Sequence, residues 1–208
     1  MPASVMVPPA DPAADGRRAR GARARRGILA VAVDLGSREG LEALTIGRLA
    51  ERSGVSKSGL FAHFGSKQDL QLATIEAARA IFVREVVASG APAPEGLPRL
   101  RATLAAWMDY LERDVFPGGC FFQAASLEFD GRPGPVRERV LAVMDEWLRY
   151  LGALARQVRL PRDLAPEQLA FELNAIGLAA NWQRQLLRDE RALDRARTAF
   201  ERTLGGVR

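Results

Sequence analysis

Between residues 41 and 72 the chain reads LEALTIGRLAERSGVSKSGLFAHFGSKQDLQL, and its hydroxyl residues and glycines divide that stretch into short helices. Thr45 stands where a helix N-cap is needed, and Ile46, Leu49 and Ala50 follow at the spacing of one helix face. Gly54 suits the residue just past a helix end. After a turn of about three residues, Ser56 caps a second short helix, KSGLFAHF, which Gly65 ends. Ser66 then caps a long helix whose expected buried stripe is Leu70, Ala73, Ala77, Ile81 and Phe82. Leu60 and Phe64, four apart, are expected to pack against Ile46 and Leu49. Two short helices joined by a tight glycine turn make a helix-turn-helix.

The cations sharpen this reading. The chain has one histidine, His63, and two lysines, Lys57 and Lys67, and all three fall within VSKSGLFAHFGSK. Residues 1–67 carry eleven Lys/Arg against six Asp/Glu, a net +5, whereas residues 68–208 carry nineteen of each. The whole net charge of +5 therefore belongs to the N-terminal third, as expected of a part that meets a polyanion, either nucleic acid or an anionic membrane surface. In a helix-turn-helix the N-terminal part of the second helix enters a major groove. Lys57, Ser58, Ala62 and His63 are left facing outward, with Lys57 placed to reach a guanine edge or a phosphate. His63 and Lys67 flank the end of that helix, within reach of phosphates on one strand, while Thr45, Arg48 and Arg52 share a face that can grip the other. The plain alternative for His63 is a packed side chain beside two phenylalanines.

Upstream, MPASVMVPPADPAAD lacks a periodic apolar face, and RRARGARARR places six arginines in ten residues. Residues 1–22 are therefore expected to form a disordered basic arm that follows phosphates or enters a minor groove, or else a solvated tail. A helix is expected from Arg25 to Glu39, with Ile28, Leu29, Ala32, Val33 and Leu35 inward and Gly40 at its end.

Beyond a proline-rich link, APAPEGLP, helices are expected near 97–114, 120–128, 134–159, 166–188 and 190–204. No strand-like alternation persists, so the fold class is all-α. The stretch 166–188 is apolar almost all round, and Gly177, Ala179 and Ala180 would admit a close neighbour. A symmetric four-helix interface using Ile176, Gly177, Ala180, Trp182 and Phe200 fits this pattern, as does a helix central in a monomer. Trp107, Phe116, Cys120, Phe121, Phe122, Met144 and Trp147 are candidates to line a small-molecule pocket, with Glu128 and Asn174 as polar anchors. Plain core packing is the alternative for each aromatic. Asn174 and Asn181, seven apart, suit hydrogen bonding across a dimer or contact with a ligand. Cys120 is either a redox-sensing thiol or a small buried hydrophobe.

The ordered set at 41–72 (Thr at the helix start, LAERSGVS, L-F-x-H-F, then SK and an apolar helix) resembles the DNA-binding domain of the TetR family of bacterial transcriptional regulators. The resemblance implies a three-helix DNA-binding domain at 23–68 and a helical ligand-binding and dimerisation bundle at 69–208. It also implies DNA contacts at Thr45, Ser56, Lys57, Ser58, Phe61, His63 and Lys67. Phe61 replaces the family's usual tyrosine, so it is expected to pack or to contact DNA weakly. Ala62, smaller than the family's frequent aromatic residue, presents a methyl that can meet a thymine methyl. A dimeric transcriptional repressor binding a near-palindromic operator, released by an unidentified small-molecule effector and needing no cofactor, is the function this implies. An activator and a basic membrane-surface adaptor are the alternatives. One cysteine and no export signal fit the cytoplasm, and no apolar run reaches membrane-spanning length. No nucleophile–base pair, phosphate-cradling glycine loop or metal-ligand spacing argues for an enzyme. On this reading Lys67→Ala flattens the salt dependence of DNA binding by close to one counterion.

Overall fold

The computed structural model of the chain describes residues 12–207, with side chains from residue 21 onward. The described residues form helices and turns with no strand. Helix α1 spans Pro12–Glu39, α2 Ile46–Ser53, α3 Lys57–Phe64 and α4 Lys67–Phe82. A π-helical turn, Val83–Val87, and a last short turn, α5 (Ala88–Gly90), continue α4 with helical backbone angles. Then come α6 (Leu97–Glu112), α7 (Phe121–Phe129), α8 (Pro135–Ala155), α9 (Pro166–Leu186) and α10 (Ala192–Thr203).

Helix α1 begins well before the expected Arg25, so residues 12–22 are helical rather than an irregular arm. Proline is suited to the first helical position, and the alanines and arginines that follow are strong helix formers even without an apolar stripe. Residues 1–11 of the expected arm lie outside the described residues.

Each short helix ends where its capping residues dictate. Thr45 Oγ1 accepts the Arg48 N–H at 3.2 Å, Ser56 Oγ the Gly59 N–H at 3.2 Å, and Ser66 Oγ the Asp69 N–H at 3.0 Å. Gly54 closes α2 in the left-handed region at φ 68°, where a side chain would be strained. Ile46, Leu49, Leu60 and Phe64 are all buried, as expected of two helices that stabilise each other through one shared core.

On α4 the buried face is Leu70, Gln71, Thr74, Ile75, Ala78 and Phe82, rotated from the expected stripe. The helix is packed by both α1 and α8, so polar positions are covered as well. Gln71 Nε2 donates to the Leu41 carbonyl at 2.9 Å and Thr74 Oγ1 to the Leu70 carbonyl at 2.7 Å, which satisfies both. Two ion pairs, Arg79 with Glu146 and Arg139 with Glu76, fasten α4 to α8.

Phe82 is the hub of the bundle core, edge-on to Tyr110, Phe122 and Trp147 at centroid distances of 5.5, 6.2 and 5.1 Å. Where the bundle meets α1, the two backbones approach very closely. A Cβ on Gly118 would collide with the Ser37 carbonyl, and one on Gly36 would lie 3.2 Å from Phe121 Cε2.

Candidate functional site

Helix α3 presents Ser56, Lys57, Ser58, Phe61 and Ala62 to solvent, with His63 half-buried at its far end. Inward-facing Leu60 and Phe64 fix the rotation of the helix, so this outer face is set by packing rather than by chance. Phe61 is 52% exposed, so it is no packing residue despite lacking a tyrosine hydroxyl. Its ring stands on the outer surface of α3 beside Ser58 and Ala62, where it is open to contact.

The start of α3 lies against the start of α2. A Cβ on Gly47 would sit 3.8 Å from Lys57 Cε, 4.0 Å from its Nζ and 3.9 Å from Thr45 Oγ1. The lysine therefore lies across the first turn of α2. Two helix N-termini and an ammonium thus converge on one patch, and all three favour an anion.

Three of the other expected cations, Lys67, Arg48 and Arg52, are committed within the protein. Lys67 Nζ donates to Glu42 Oε1 at 2.6 Å, a bond that holds the Glu42 carboxyl below the usual carboxylate range. Arg48 is ion-paired with Glu39 of α1, and Arg52 lies 3.7 Å from the same carboxylate. Lys57 is exposed and forms no ion pair among the described residues. The expected group of free phosphate-gripping cations is therefore narrower than composition suggested. Glu39 and Glu42 escaped sequence reasoning because each lies on a different element from its partner. Arg25, near the end of the basic stretch, lies over the Phe64 ring at 5.0 Å and so links α1 to the end of α3.

The bundle contains a cavity of about 30 Å³ lined by six of the expected residues: Trp107, Cys120, Phe122, Met144, Trp147 and Asn174. Phe82, Gln123, Val143 and Leu178 complete the wall. That volume holds one or two waters and admits nothing larger unless its wall moves. Phe116 and Phe121 are core residues outside the wall, which corrects their expected role. Glu128 is no anchor in the cavity either: its carboxylate accepts the backbone N–H groups of Leu41 at 2.7 Å and Glu42 at 3.0 Å. Asn174 Oδ1 accepts the Trp147 indole N–H at 3.1 Å, whereas the buried Trp107 Nε1 has no partner. Burial pushes the Cys120 thiol upward and the Tyr110 phenol beside it well upward. A thiol kept protonated in this way is a hydrophobe rather than a reactive nucleophile.

Helix α9 divides its apolar residues between two sides, and not as expected. Gly177 lies directly beneath the Trp107 indole, with which a Cβ would collide, and Ala180 and Phe200 are buried in the same subunit. These three belong to the core rather than to an outer interface. Ile176 is half-buried, and Trp182 is 47% exposed. With Phe171 and Leu186, each 65% exposed, and Ala175 and Ala179, Trp182 forms an apolar stripe at helical spacing on the outside. Asn181 is turned inward as well, accepting the Cys120 N–H at 3.1 Å and donating to Gln123 Oε1 at 2.6 Å. Neither asparagine is free for bonding across a dimer.

Comparison with known proteins places this architecture. Residues 28–74 match the family described as bacterial regulatory proteins, tetR family, and residues 96–200 match the tetracyclin repressor-like C-terminal domain. A curated relative, the HTH-type transcriptional activator FasR of Mycolicibacterium smegmatis, is 34% identical over 91 residues. That alignment takes in 43% of this chain and only 42% of the relative. A TetR transcriptional regulator from Chloroflexus aurantiacus shares the fold with a TM-score of 0.81 and 25% identity, over 90% of this chain and 96% of that one. A TetR-family transcriptional regulator from Streptomyces coelicolor gives 0.76 and 25% over 95% and 96%. With both of its segments matched, and its fold shared from the helix-turn-helix through the C-terminal bundle, this chain belongs to the tetR family of bacterial transcriptional regulators.

Proposed function

We propose that the chain acts as a dimeric repressor that sets α3 into the major groove of a near-palindromic operator and leaves it when a small molecule enters the bundle. The observation that carries this reading is the outer face of α3, where Ser56, Lys57, Ser58, Phe61 and Ala62 stand exposed on a helix anchored from behind by Leu60 and Phe64. Side chains on such a face read base edges and thymine methyls, while Thr45 and His63 border it on the phosphate side and Arg48 and Lys67 stand there already paired with Glu39 and Glu42. Two copies joined through the outer stripe of α9 present two such helices, which suit half-sites about 34 Å apart.

The effector that fits is largely aromatic or alkyl, since the wall is apolar, and carries a hydrogen-bond acceptor for the Trp107 indole N–H. Its entry requires displacement of wall side chains, so it selects a more open form of the bundle. The chain is read as a regulator rather than an enzyme, working in the cytoplasm on duplex DNA. No helix of the described residues is long and apolar enough to cross a membrane.

Activation is the second reading, favoured by the activator role of the FasR relative. Selection of bound duplexes from a random pool, followed by footprinting on the DNA upstream of the coding sequence, tests the proposal. An enriched near-palindrome is expected; its absence, together with binding to anionic vesicles, refutes it in favour of a membrane adaptor. A reporter driven from the enriched site then separates repression from activation by its sign.

A further inference from the structure

We propose that Glu128 is the positioning residue through which the cavity controls the DNA-binding domain. Its carboxylate, at the far end of a helix that forms part of the cavity wall, clips the backbone of the α1–α2 turn. The inference rests on the effector reading above and deepens it by naming the connection.

Helix α7 has two differently anchored ends. At its start, Cys120, Phe122 and Gln123 face the cavity, and Gln123 and Cys120 are tied to α9 through Asn181 and the Leu178 carbonyl. Five residues after Gln123, about 7.5 Å along the helix, Glu128 reaches out of the bundle. Oε2 accepts the Leu41 N–H at 2.7 Å and Oε1 the Glu42 N–H at 3.0 Å. A carboxylate accepts both bonds at once, which an amide side chain cannot do with its nitrogen. The turn is shaped to receive it: Gly40 has φ 90°, and a Cβ there would stand 2.7 Å from Glu128 Oε1.

What is clipped then governs the DNA side. The Glu42 side chain holds Lys67 at the start of α4, and Gln71 bonds both the Leu41 carbonyl and the Glu42 carboxylate. Residues 41 and 42 are thus gripped from α7 on one side and from α4 on the other, just before the Thr45 cap of α2. Gly118, just before α7, lies against the Ser37 backbone, and the Phe121 ring of α7 lies against Gly36, so little soft material separates α7 from α1 and a shift of α7 is passed on rather than absorbed. Glu128 lines no part of the cavity and forms no ion pair among the described residues, so neither role accounts for its carboxylate.

The test uses a built-in probe, because the effector is unidentified. Met144→Trp fills the cavity from its wall, with Val143→Phe as the second variant should the first fail to fold, judged by thermal melting. Dissociation constants for the selected duplex and hydrogen exchange at the Leu41 and Glu42 amides are measured with each filler in wild-type, Glu128→Gln and Glu128→Ala backgrounds. The filler is expected to change Kd by about fivefold or more in the wild type, by less in Glu128→Gln, and by under about twofold in Glu128→Ala. Exchange at the two amides should respond to the filler only when Glu128 is present. An equal effect of the filler on Kd in all backgrounds assigns Glu128 a merely structural role and overturns the proposal. So does a filler without effect on either readout in the wild type. Failure of the unmodified protein to select any duplex would instead sink the DNA-binding reading, while the exchange experiment still decides whether Glu128 connects cavity and turn.

Discussion

Replacing Lys67 by alanine should leave the salt dependence of DNA binding nearly unchanged, whereas replacing Lys57 should flatten it. Each phosphate neutralised by a free cation contributes about 0.9 to the slope of log K against log salt. Lys57 has no ion-pair partner among the described residues, so Lys57→Ala should remove that contribution. Between 50 and 200 mM salt this makes the loss of affinity about 3.5-fold smaller than in the unmodified protein. Lys67 carries its counter-charge already in Glu42 at 2.6 Å, and that carboxylate is steadied by Gln71 at 3.3 Å. The pair is about 40% exposed on both sides (39% and 41%) and worth no more than about 1 kcal/mol by itself, so its persistence rests on this support. Removing the acceptor's charge with Glu42→Gln should free Lys67 and steepen the slope by up to about 0.9. Fluorescence anisotropy with a random-sequence duplex at several salt concentrations measures all three variants without knowledge of an operator. A drop for Lys67→Ala equal to that for Lys57→Ala would refute the reasoning, because it would mean that phosphate takes Lys67 from Glu42.

Substituting glutamate for Trp182 and Leu186 together should shift the protein from dimer to monomer in analytical ultracentrifugation. Phe200→Ala, which empties a core position, should instead lower Tm by roughly 6–20 °C, from a typical 3–5 kcal/mol cost. Gly177→Ala drives a methyl into the Trp107 indole and should cost about 1–3 kcal/mol, read as a Tm decrease of roughly 2–12 °C. Acidification should weaken the α4–α8 contact: hydrogen bonding from Arg139 lowers the Glu76 carboxyl and that from Arg79 lowers Glu146. Their contribution is fully present above the ordinary value of 4.5 and is lost as pH falls through the lowered ones, because the unfolded chain then takes up more protons. Melting curves between pH 6 and 3 should therefore decline less steeply for Glu146→Gln than for the unmodified protein.

The helix-turn-helix was legible residue by residue because every boundary carries its own chemistry within three or four positions. Thr45, Ser56 and Ser66 cap their own helices, and Gly54 ends one in the conformation that favours glycine. The start of α1 was not legible, since an alanine–arginine run has helix propensity but no apolar period to reveal it. On α9 the composition was clear and the orientation was not: a helix apolar all round does not announce which side holds Gly177 and which holds Phe171. The Lys67–Glu42 and Glu128–Leu41 contacts span 25 and 87 residues, beyond the range of any periodicity argument. The sequence marks Glu128 as a polar group of interest but not the Leu41 and Glu42 amides it meets, because those neighbours exist only after the chain has folded.

The π-helical turn at Val83–Val87 has a mechanical consequence for a protein of this shape. Wide turns of this kind interrupt the regular backbone bonding of a helix and concentrate bending there. Before it, α4 is packed on α1 and held to α8 by the Arg79–Glu146 and Arg139–Glu76 pairs, so a tilt at the elbow must work against those two pairs; within it, the chain rests on α6 of the bundle. The 16 residues of α4 make an arm about 24 Å long. A tilt of about 10° at the elbow carries the far end through roughly 4 Å, by the same helix rise. In the proposed dimer, two such arms would change the span between their tips by up to twice that amount, without any helix having to unfold.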